Sequence, residues 1–286
     1  TSTMTTHSPD WYNEQYNNRA RVSDCQTHLQ NWAEWSAISR MHLRGQIDVA
    51  YGPTAGQTLD VFSANRSNAP IVVFIHGGYW RSLDKSDHSF VAPALIDAGA
   101  LPVLLNYDLA PKVSISEICV QMVRALDWVW RQAASLGGDP HRIHVLGHSA
   151  GGHLAAMLMA AQWRRYAPDL PQDLVKSALS ISGVHELESV RQAAFVQGDL
   201  RLSAAEAIQC SPAWMPRPTH GTIHCVAGGL ESPEFLRQNA LLQDSWGSKV
   251  VPTAQALAGE DHFSILGQFR HWDSRVMQLV RQMLTA

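Results

Sequence analysis

A short turn between an apolar strand and an apolar helix constrains this chain more than any other feature of its sequence. Residues 143–146 are apolar and predict a buried strand, and residues 153–160 predict a helix packed on a sheet. Between them lies Gly147-His148-Ser149-Ala150-Gly151-Gly152, a G-x-S-x-G pattern. The glycines permit a sharp turn that exposes the Ser149 hydroxyl near the positive end of the helix. This context favours Ser149 as a nucleophile over the alternative of a plain glycine-rich turn.

Strands and helices alternate along most of the chain. Besides the strand at 143–146, the pattern predicts strands at 48–51, 58–62, 70–75, 102–107, 177–182, 222–227 and 250–255. It predicts further helices at 25–40, 86–98, 115–136 and 264–283. This alternation indicates an α/β fold: a mostly parallel sheet of about eight strands with helices on both faces.

The length and composition fit a single catalytic domain. The chain has 286 residues, 45% of them hydrophobic and 16% charged, which allows a large core. We expect one domain spanning residues 1–286, with a helical N-terminal arm at 1–45 and a small cap segment at 183–218. The aromatic residues of the arm are expected to pack over the domain surface; the alternative is that they form one wall of a substrate pocket.

Charge and cysteine usage narrow the partners and the compartment. Lys and Arg total 22 against 25 Asp and Glu, with no basic block, so nucleic acid and membrane are not expected as partners. Four scattered cysteines indicate a reducing compartment: Cys25, Cys119, Cys210 and Cys225. The N-terminus shows no signal-peptide pattern, and Met4 is expected to be the native start. We expect a cytoplasmic protein that acts on a small molecule, and a homodimer is left open.

A serine nucleophile needs a general base, and His262 has the expected position. It follows the final predicted strand and precedes the final predicted helix. The competing histidines have ordinary explanations: His148 lies inside the turn, His153 on the helix that follows it, and His271 within the predicted last helix. His262 is therefore predicted to take the proton of Ser149.

The base needs an orienting acid, for which Glu231 is preferred. Glu231 lies in the loop after the predicted strand at 222–227. Glu234 fits the first turn of the next helix, where a negative charge complements the helix dipole. Asp261 adjoins His262, and neighbouring side chains in a loop usually diverge, so a surface or capping role is expected for it.

A second glycine motif follows the predicted strand at 70–75: His76-Gly77-Gly78-Tyr79-Trp80. Such a loop can direct backbone N–H groups at a developing oxyanion, and the expected donors are those of Gly78, Tyr79 and Ala150. The neighbouring side chains of Trp80, Arg81 and His148 are candidate substrate contacts, and either Arg81 or Lys85 is a candidate for binding a substrate carboxylate. Solvated surface charges are an equally reasonable interpretation of Arg81 and Lys85.

Together these motifs resemble the kynurenine formamidase (arylformamidase) branch of the α/β-hydrolases, which is related to hormone-sensitive-lipase-type esterases. The resemblance rests on the H-G-G-x-W loop, the turn around Ser149, Glu231-Ser232-Pro233-Glu234-Phe235 and Asp261-His262-Phe263, and it covers nearly the whole chain. Many family members have aspartate where this chain has Glu231.

The resemblance implies hydrolysis of N-formyl-L-kynurenine to L-kynurenine and formate through a formyl-serine intermediate. It implies no metal and no organic cofactor. One alternative is a carboxylesterase acting on small acyl or aryl esters, and another is a hydrolase-fold binding protein without catalysis. The motifs define the mechanism better than the substrate.

Overall fold

An eight-stranded sheet forms the centre of the computed structural model, which describes residues 6–285; Met4 lies outside the described residues. The strands are β1 (Gly45–Ala50), β2 (Thr58–Phe62), β3 (Ala69–Ile75), β4 (Leu101–Leu105), β5 (Gly138–His148), β6 (Ser177–Ile181), β7 (Thr222–Gly228) and β8 (Thr253–Leu257). Their order is β1-β2-β4-β3-β5-β6-β7-β8, with β2 antiparallel to both its neighbours and the remaining pairs parallel. The prediction of a mostly parallel α/β sheet is confirmed.

Helices cover both faces of the sheet. They are α1 (Pro9–Tyr16), α2 (Asn18–Arg21), α3 (Cys25–His42), α4 (Ala92–Asp97), α5 (Ile115–Gln132), α6 (Ala150–Ala160), α7 (Trp163–Tyr166), α8 (Glu188–Arg191), α9 (Ala194–Leu200), α10 (Ala204–Gln209), α11 (Pro233–Trp246) and α12 (Arg275–Thr285). Two separate apolar clusters result, one on each face, because the side chains of a strand alternate between the faces: Val73 belongs to one cluster and Phe74 to the other.

Several element boundaries differ from the sequence-based prediction, and three of the differences change how a segment is described. The segment 86–98 begins with two 3₁₀ turns, Lys85–Asp87 and Ser89–Val91, before α4. The last strand is shifted to Thr253–Leu257 because the chain around Pro252 first turns back, with the Val251 N–H bonded to the Gly247 carbonyl. The predicted last helix is divided into a 3₁₀ segment, Ser264–Arg270, and α12, so His271 lies between the two.

The N-terminal arm packs across the edge of the sheet that carries the functional loops. The Gln15 side chain accepts the N–H of Glu234 in the first turn of α11, and the Tyr16 hydroxyl donates to the Glu234 carboxylate. The Asn13 side chain accepts the N–H of Phe195 at the start of α9. These bonds bring the arm together with the predicted cap segment, which consists of short helices as expected.

Among residues 6–285, no helix combines the length and the apolar character needed to cross a membrane.

Candidate active site

The turn between β5 and α6 has the strained geometry expected at the predicted nucleophile. Ser149 has φ 59° and ψ −116°, a conformation that costs a residue with a side chain about 1–3 kcal/mol. Its N–H bonds the Ile181 carbonyl at the end of β6, at 2.8 Å. The neighbouring strand therefore holds the strained residue in place, at the carboxyl edge of the sheet.

Ser149, His262 and Glu231 form one continuous hydrogen-bonded chain. The Ser149 Oγ lies 3.0 Å from the His262 Nε2, and the His262 Nδ1 lies 2.6 Å from the Glu231 Oε1. All three residues are buried, with Ser149 5% and His262 4% exposed. The structure thus brings together the predicted nucleophile, base and acid in the arrangement that serine hydrolases use.

Ser182, which the sequence analysis did not identify, helps to hold the Glu231 carboxylate in place. The Ser182 hydroxyl donates to the Glu231 Oε2 at 2.6 Å, and the Gly228 N–H donates to the same atom at 2.7 Å. Both carboxylate oxygens are therefore occupied, so the Glu231 side chain has a fixed orientation toward His262. Ser182 directly follows β6, and a polar residue at the carboxyl end of a parallel strand is a signal that could have identified it.

The two competing carboxylates lie elsewhere. Glu234 is in the first turn of α11 and binds Arg237 and the Tyr16 hydroxyl, where the ion pair with Arg237 lowers its pKa against the opposing effect of burial. Asp261 accepts the N–H groups of Phe263 and Ser264, both at 2.8 Å. The structure thus gives Glu234 a helix-terminal position and Asp261 a capping role, as the sequence indicated.

The loop after β3 lies directly against the nucleophile. A Cβ atom added to Gly77 would come within 2.9 Å of the Ser149 Cβ, so only glycine allows this approach. Gly78 has φ +111°, which favours glycine, and Tyr79 and Trp80 follow with positive φ. Among the described residues, no acceptor binds the N–H groups of Gly78, Tyr79 and Ala150. These are the three predicted oxyanion donors, and they are free to bind a substrate oxygen.

Several contacts hold this loop in its unusual conformation. The Tyr79 hydroxyl donates to the Tyr16 carbonyl of the arm, and the Ala110 N–H donates to the Trp80 carbonyl at 2.8 Å. The Tyr107 hydroxyl donates to the His76 carbonyl at 2.7 Å. Burial raises the pKa of the Tyr79 hydroxyl, with the nearby Glu231 charge acting in the same direction, so this side chain remains a neutral donor.

His148 packs against the ring of His262 and forms a hydrogen bond with its main chain. Its Nε2 donates to the His262 carbonyl at 2.8 Å, and the two rings are 4.9 Å apart. Burial, with a further contribution from the nearby His262, lowers the pKa of His148 well below its usual value, so the ring is neutral. His148 also lines the cavity, where its contact with substrate stays a prediction.

A cavity of about 310 Å³ opens onto Ser149 and His262. The N-terminal arm and the cap segment both contribute to its walls, through Trp32 and Phe195 respectively. Trp32 is almost fully buried and meets the His148 ring edge to face at 5.9 Å. The arm therefore does what both interpretations of its sequence suggested: it packs over the domain, and it also forms part of a pocket.

Two of the candidate substrate contacts point elsewhere. Trp80 is fully buried and does not line the cavity, because its indole N–H is bonded to His153 at 3.2 Å. Lys85 is buried in ion pairs with Asp48 and Asp60, so it is neither a surface charge nor available to substrate.

Arg81, by contrast, lines the cavity. Its guanidinium is engaged by Asp199 at 3.1 Å and by the Phe195 carbonyl at 2.9 Å, both on α9. Sequence reasoning did not identify the remaining polar side chains of the arm that line the cavity, which are Asn17, Asn18 and Arg19.

The fold is that of the α/β-hydrolases, and the comparisons with known proteins make the chain a hydrolase enzyme. The BD-FAE family model matches residues 59–192. A solved structure of a putative thioesterase from Silicibacter sp. TM1040 superposes with a TM-score of 0.83 at 26% identity, covering 96% of this chain and 98% of the other. Carboxylesterase NlhH of Mycobacterium tuberculosis is 43% identical over 94 residues, which are 32% of this chain and 30% of that protein.

The similarity to kynurenine formamidases extends much further along the chain. Kynurenine formamidase of Danio rerio is 30% identical over 248 residues, which cover 83% of this chain and 81% of that protein. The chain belongs to the kynurenine formamidase family.

Proposed function

We propose that this chain hydrolyses an aryl formamide, N-formyl-L-kynurenine, to L-kynurenine and formate. The observation that carries the proposal is the continuous chain from the Ser149 Oγ through His262 to Glu231. The extended similarity to a kynurenine formamidase supports the choice of substrate.

Each step of this reaction has a residue in position for it. His262 takes the proton of Ser149 as the hydroxyl oxygen attacks the formyl carbon, and the N–H groups of Gly78, Tyr79 and Ala150 stabilise the oxyanion. His262 then gives its proton to the aryl nitrogen as the C–N bond breaks, which leaves a formyl ester on Ser149. A water molecule, deprotonated by His262, attacks this ester; His262 then gives the proton to the Ser149 oxygen as the C–O bond breaks and formate is released.

Glu231 acts on this sequence through His262. Its carboxylate accepts the Nδ1 proton, which leaves the Nε2 lone pair directed at Ser149 and stabilises the imidazolium that forms. Because a glutamate reaches further than an aspartate, the contacts from Ser182 and Gly228 fix the longer side chain in the required orientation.

A carboxylesterase is the second candidate, because the 94-residue similarity to NlhH shows that part of this chain resembles a named carboxylesterase. Ester cleavage would use the same residues with an alcohol as the leaving group. The formamidase and the carboxylesterase differ only in whether the C–N bond of a formamide or the C–O bond of an ester is cleaved efficiently.

Kinetics with two substrates test the proposal. We expect kcat/KM for N-formyl-L-kynurenine to exceed that for p-nitrophenyl acetate; negligible formate release with rapid ester cleavage would favour the carboxylesterase instead. Ser149→Ala should abolish both activities; unchanged activity in this variant would show that the site around Ser149 does not carry the hydrolysis and would revive the interpretation of this site as a binding site without catalysis. Glu231→Gln keeps the side-chain shape and should lower kcat by about three to four orders of magnitude. Near-normal kinetics would show that another carboxylate orients His262.

We further propose that residues 1–286 act as one catalytic domain in the cytoplasm. All four cysteines are free thiols, which suits a reducing compartment. The arm and the cap segment both line the cavity, which supports treating them as parts of one functional unit.

A further inference from the structure

The charges around the cavity are all of one sign. Arg19 and Arg81 line it, whereas no aspartate or glutamate does so among the described residues. A cavity lined by cationic side chains attracts an anionic ligand and disfavours a cationic one. The two arginines differ, however, in whether their charge is already balanced.

Arg81 has its own counter-ion. Its Nη1 lies 3.1 Å from the Asp199 Oδ2, in an ion pair that leaves little net charge on this side of the cavity. Arg19 forms no ion pair with any described residue, and its one side-chain hydrogen bond is a long contact of 3.4 Å from Nη2 to the Ser82 Oγ. Arg19 therefore supplies an unbalanced positive charge at the mouth of the cavity.

The residue beside Arg19 supplies an unused donor. Asn18 lines the cavity and is only 5% exposed, and its Nδ2 atom has no hydrogen-bond partner among the described residues. Leaving a buried amide donor unpaired is unfavourable, so such groups in a ligand cavity are candidates for pairing with the ligand. An acceptor atom of a bound substrate would remove this penalty.

The remaining walls fit an aromatic group. Trp32, Phe195 and Phe263 present aromatic rings around the same cavity, close to Ser149. The cavity thus combines an apolar aromatic part with a cationic, hydrogen-bond-donating corner formed by consecutive residues of the arm.

We propose that Asn18 and Arg19 form a carboxylate-binding subsite, which selects substrates whose aryl group carries a carboxylate. A carboxylate fits both features, since it accepts hydrogen bonds from an amide and pairs with a guanidinium. The proposal deepens the proposed function, because it names the class of aryl substrate, but the subsite does not depend on which bond is cleaved.

Two matched pairs of substrates test the subsite separately from the reaction. The formamide pair is 4-formamidobenzoate and formanilide, and the ester pair is 4-acetoxybenzoate and phenyl acetate. In each pair the ratio of kcat/KM, charged over neutral, measures selectivity for the carboxylate. Isothermal titration with benzoate and benzamide measures the same preference without turnover.

Arg19→Gln is the test variant, and Arg21→Gln is its matched control. Arg21 lies on the same short helix, but it pairs with Glu14 at 3.4 Å and does not line this cavity. We expect Arg19→Gln to lower the selectivity ratio at least tenfold and Arg21→Gln to change it less than twofold. Asn18→Asp, which keeps the shape but adds a negative charge, should also lower the ratio at least tenfold.

An unchanged ratio in Arg19→Gln, or an equal loss in Arg21→Gln, would overturn the subsite. So would equal binding of benzoate and benzamide by the unsubstituted protein. If neither formamide is cleaved but both esters are, the proposed formamidase activity fails, while the ester ratios and the titration still decide whether the subsite exists.

Discussion

Removing the Ser182 hydroxyl should slow catalysis without substituting any of the three residues that we propose perform it. Ser182→Ala deletes one of the three hydrogen bonds that the Glu231 carboxylate accepts, the 2.6 Å bond from Oγ to Oε2. The hydroxyl lies in the interior, so water does not readily replace it. The carboxylate can then rotate away from the His262 Nδ1.

The size of the effect follows from the kind of bond that is lost. A hydrogen bond to a charged group contributes about 1.5–3 kcal/mol. Each 1.36 kcal/mol of transition-state stabilisation is a factor of ten in rate, so kcat should fall about 10- to 150-fold. KM should change little, because Ser182 does not line the cavity.

Steady-state kinetics on the best substrate, with thermal unfolding in parallel, would measure this effect. Ser177→Ala is the matched control: it also removes a buried serine hydroxyl of the β6 region, one bonded to His144 at 2.7 Å and remote from the cavity. A kcat within threefold of the unsubstituted protein in Ser182→Ala would refute the view that Glu231 needs this contact. So would an equal loss of kcat in the control.

Two further predictions concern the oxyanion loop and the response to acid. Tyr79→Phe removes the bond to the Tyr16 carbonyl that holds the loop, so kcat should fall about tenfold with KM nearly constant; unchanged kcat would contradict this role. Burial lowers the pKa of both His88 and His153 to about 3 in the folded protein, whereas a histidine of the unfolded chain has a pKa of about 6.5. As the pH falls below about 6.5, protons therefore bind the unfolded chain in preference to the folded one and destabilise the fold. Chemical denaturation should show that the free energy of unfolding falls by about 2 kcal/mol per histidine between pH 7 and pH 5, and that it falls by less in His153→Gln. The same pH dependence in this variant and in the unsubstituted protein would contradict the prediction.

The sequence predicted the sheet and the Ser149, Glu231 and His262 positions because each depends on local pattern and chain order. Buried parallel strands are continuously apolar, and the glycines around Ser149 and in the loop after β3 mark turns that few other residues permit. The choice of Glu231 over Glu234 and Asp261 followed from the loop in which each lies, and the structure places only Glu231 against His262.

Contacts between segments far apart in the chain could not be predicted in this way. The sequence left Lys85 as either a contact for a substrate carboxylate or a surface charge, yet it is buried by pairing with Asp48 and Asp60, which no local pattern reveals. The sequence indicated Trp80 as a substrate contact, but its indole N–H bonds His153, 73 residues away in the chain. The boundary errors within 86–98 and near His271 have a different cause, since turns with 3₁₀ geometry carry a weak periodic signal.

The contacts of the N-terminal arm also order events during synthesis. Tyr16 leaves the ribosome well before its partner Glu234, which lies 218 residues later in the chain. At typical elongation rates of about 5–20 residues per second, the arm waits on the order of ten seconds or more for that partner. Glu231 and His262 are synthesised in the same late stretch, so a nascent chain that already contains Ser149 still lacks both members of its hydrogen-bonded chain. The hydrogen-bonded chain from Ser149 to Glu231 can therefore form only after residue 262 has been synthesised, at about the same stage as the arm docks on α11.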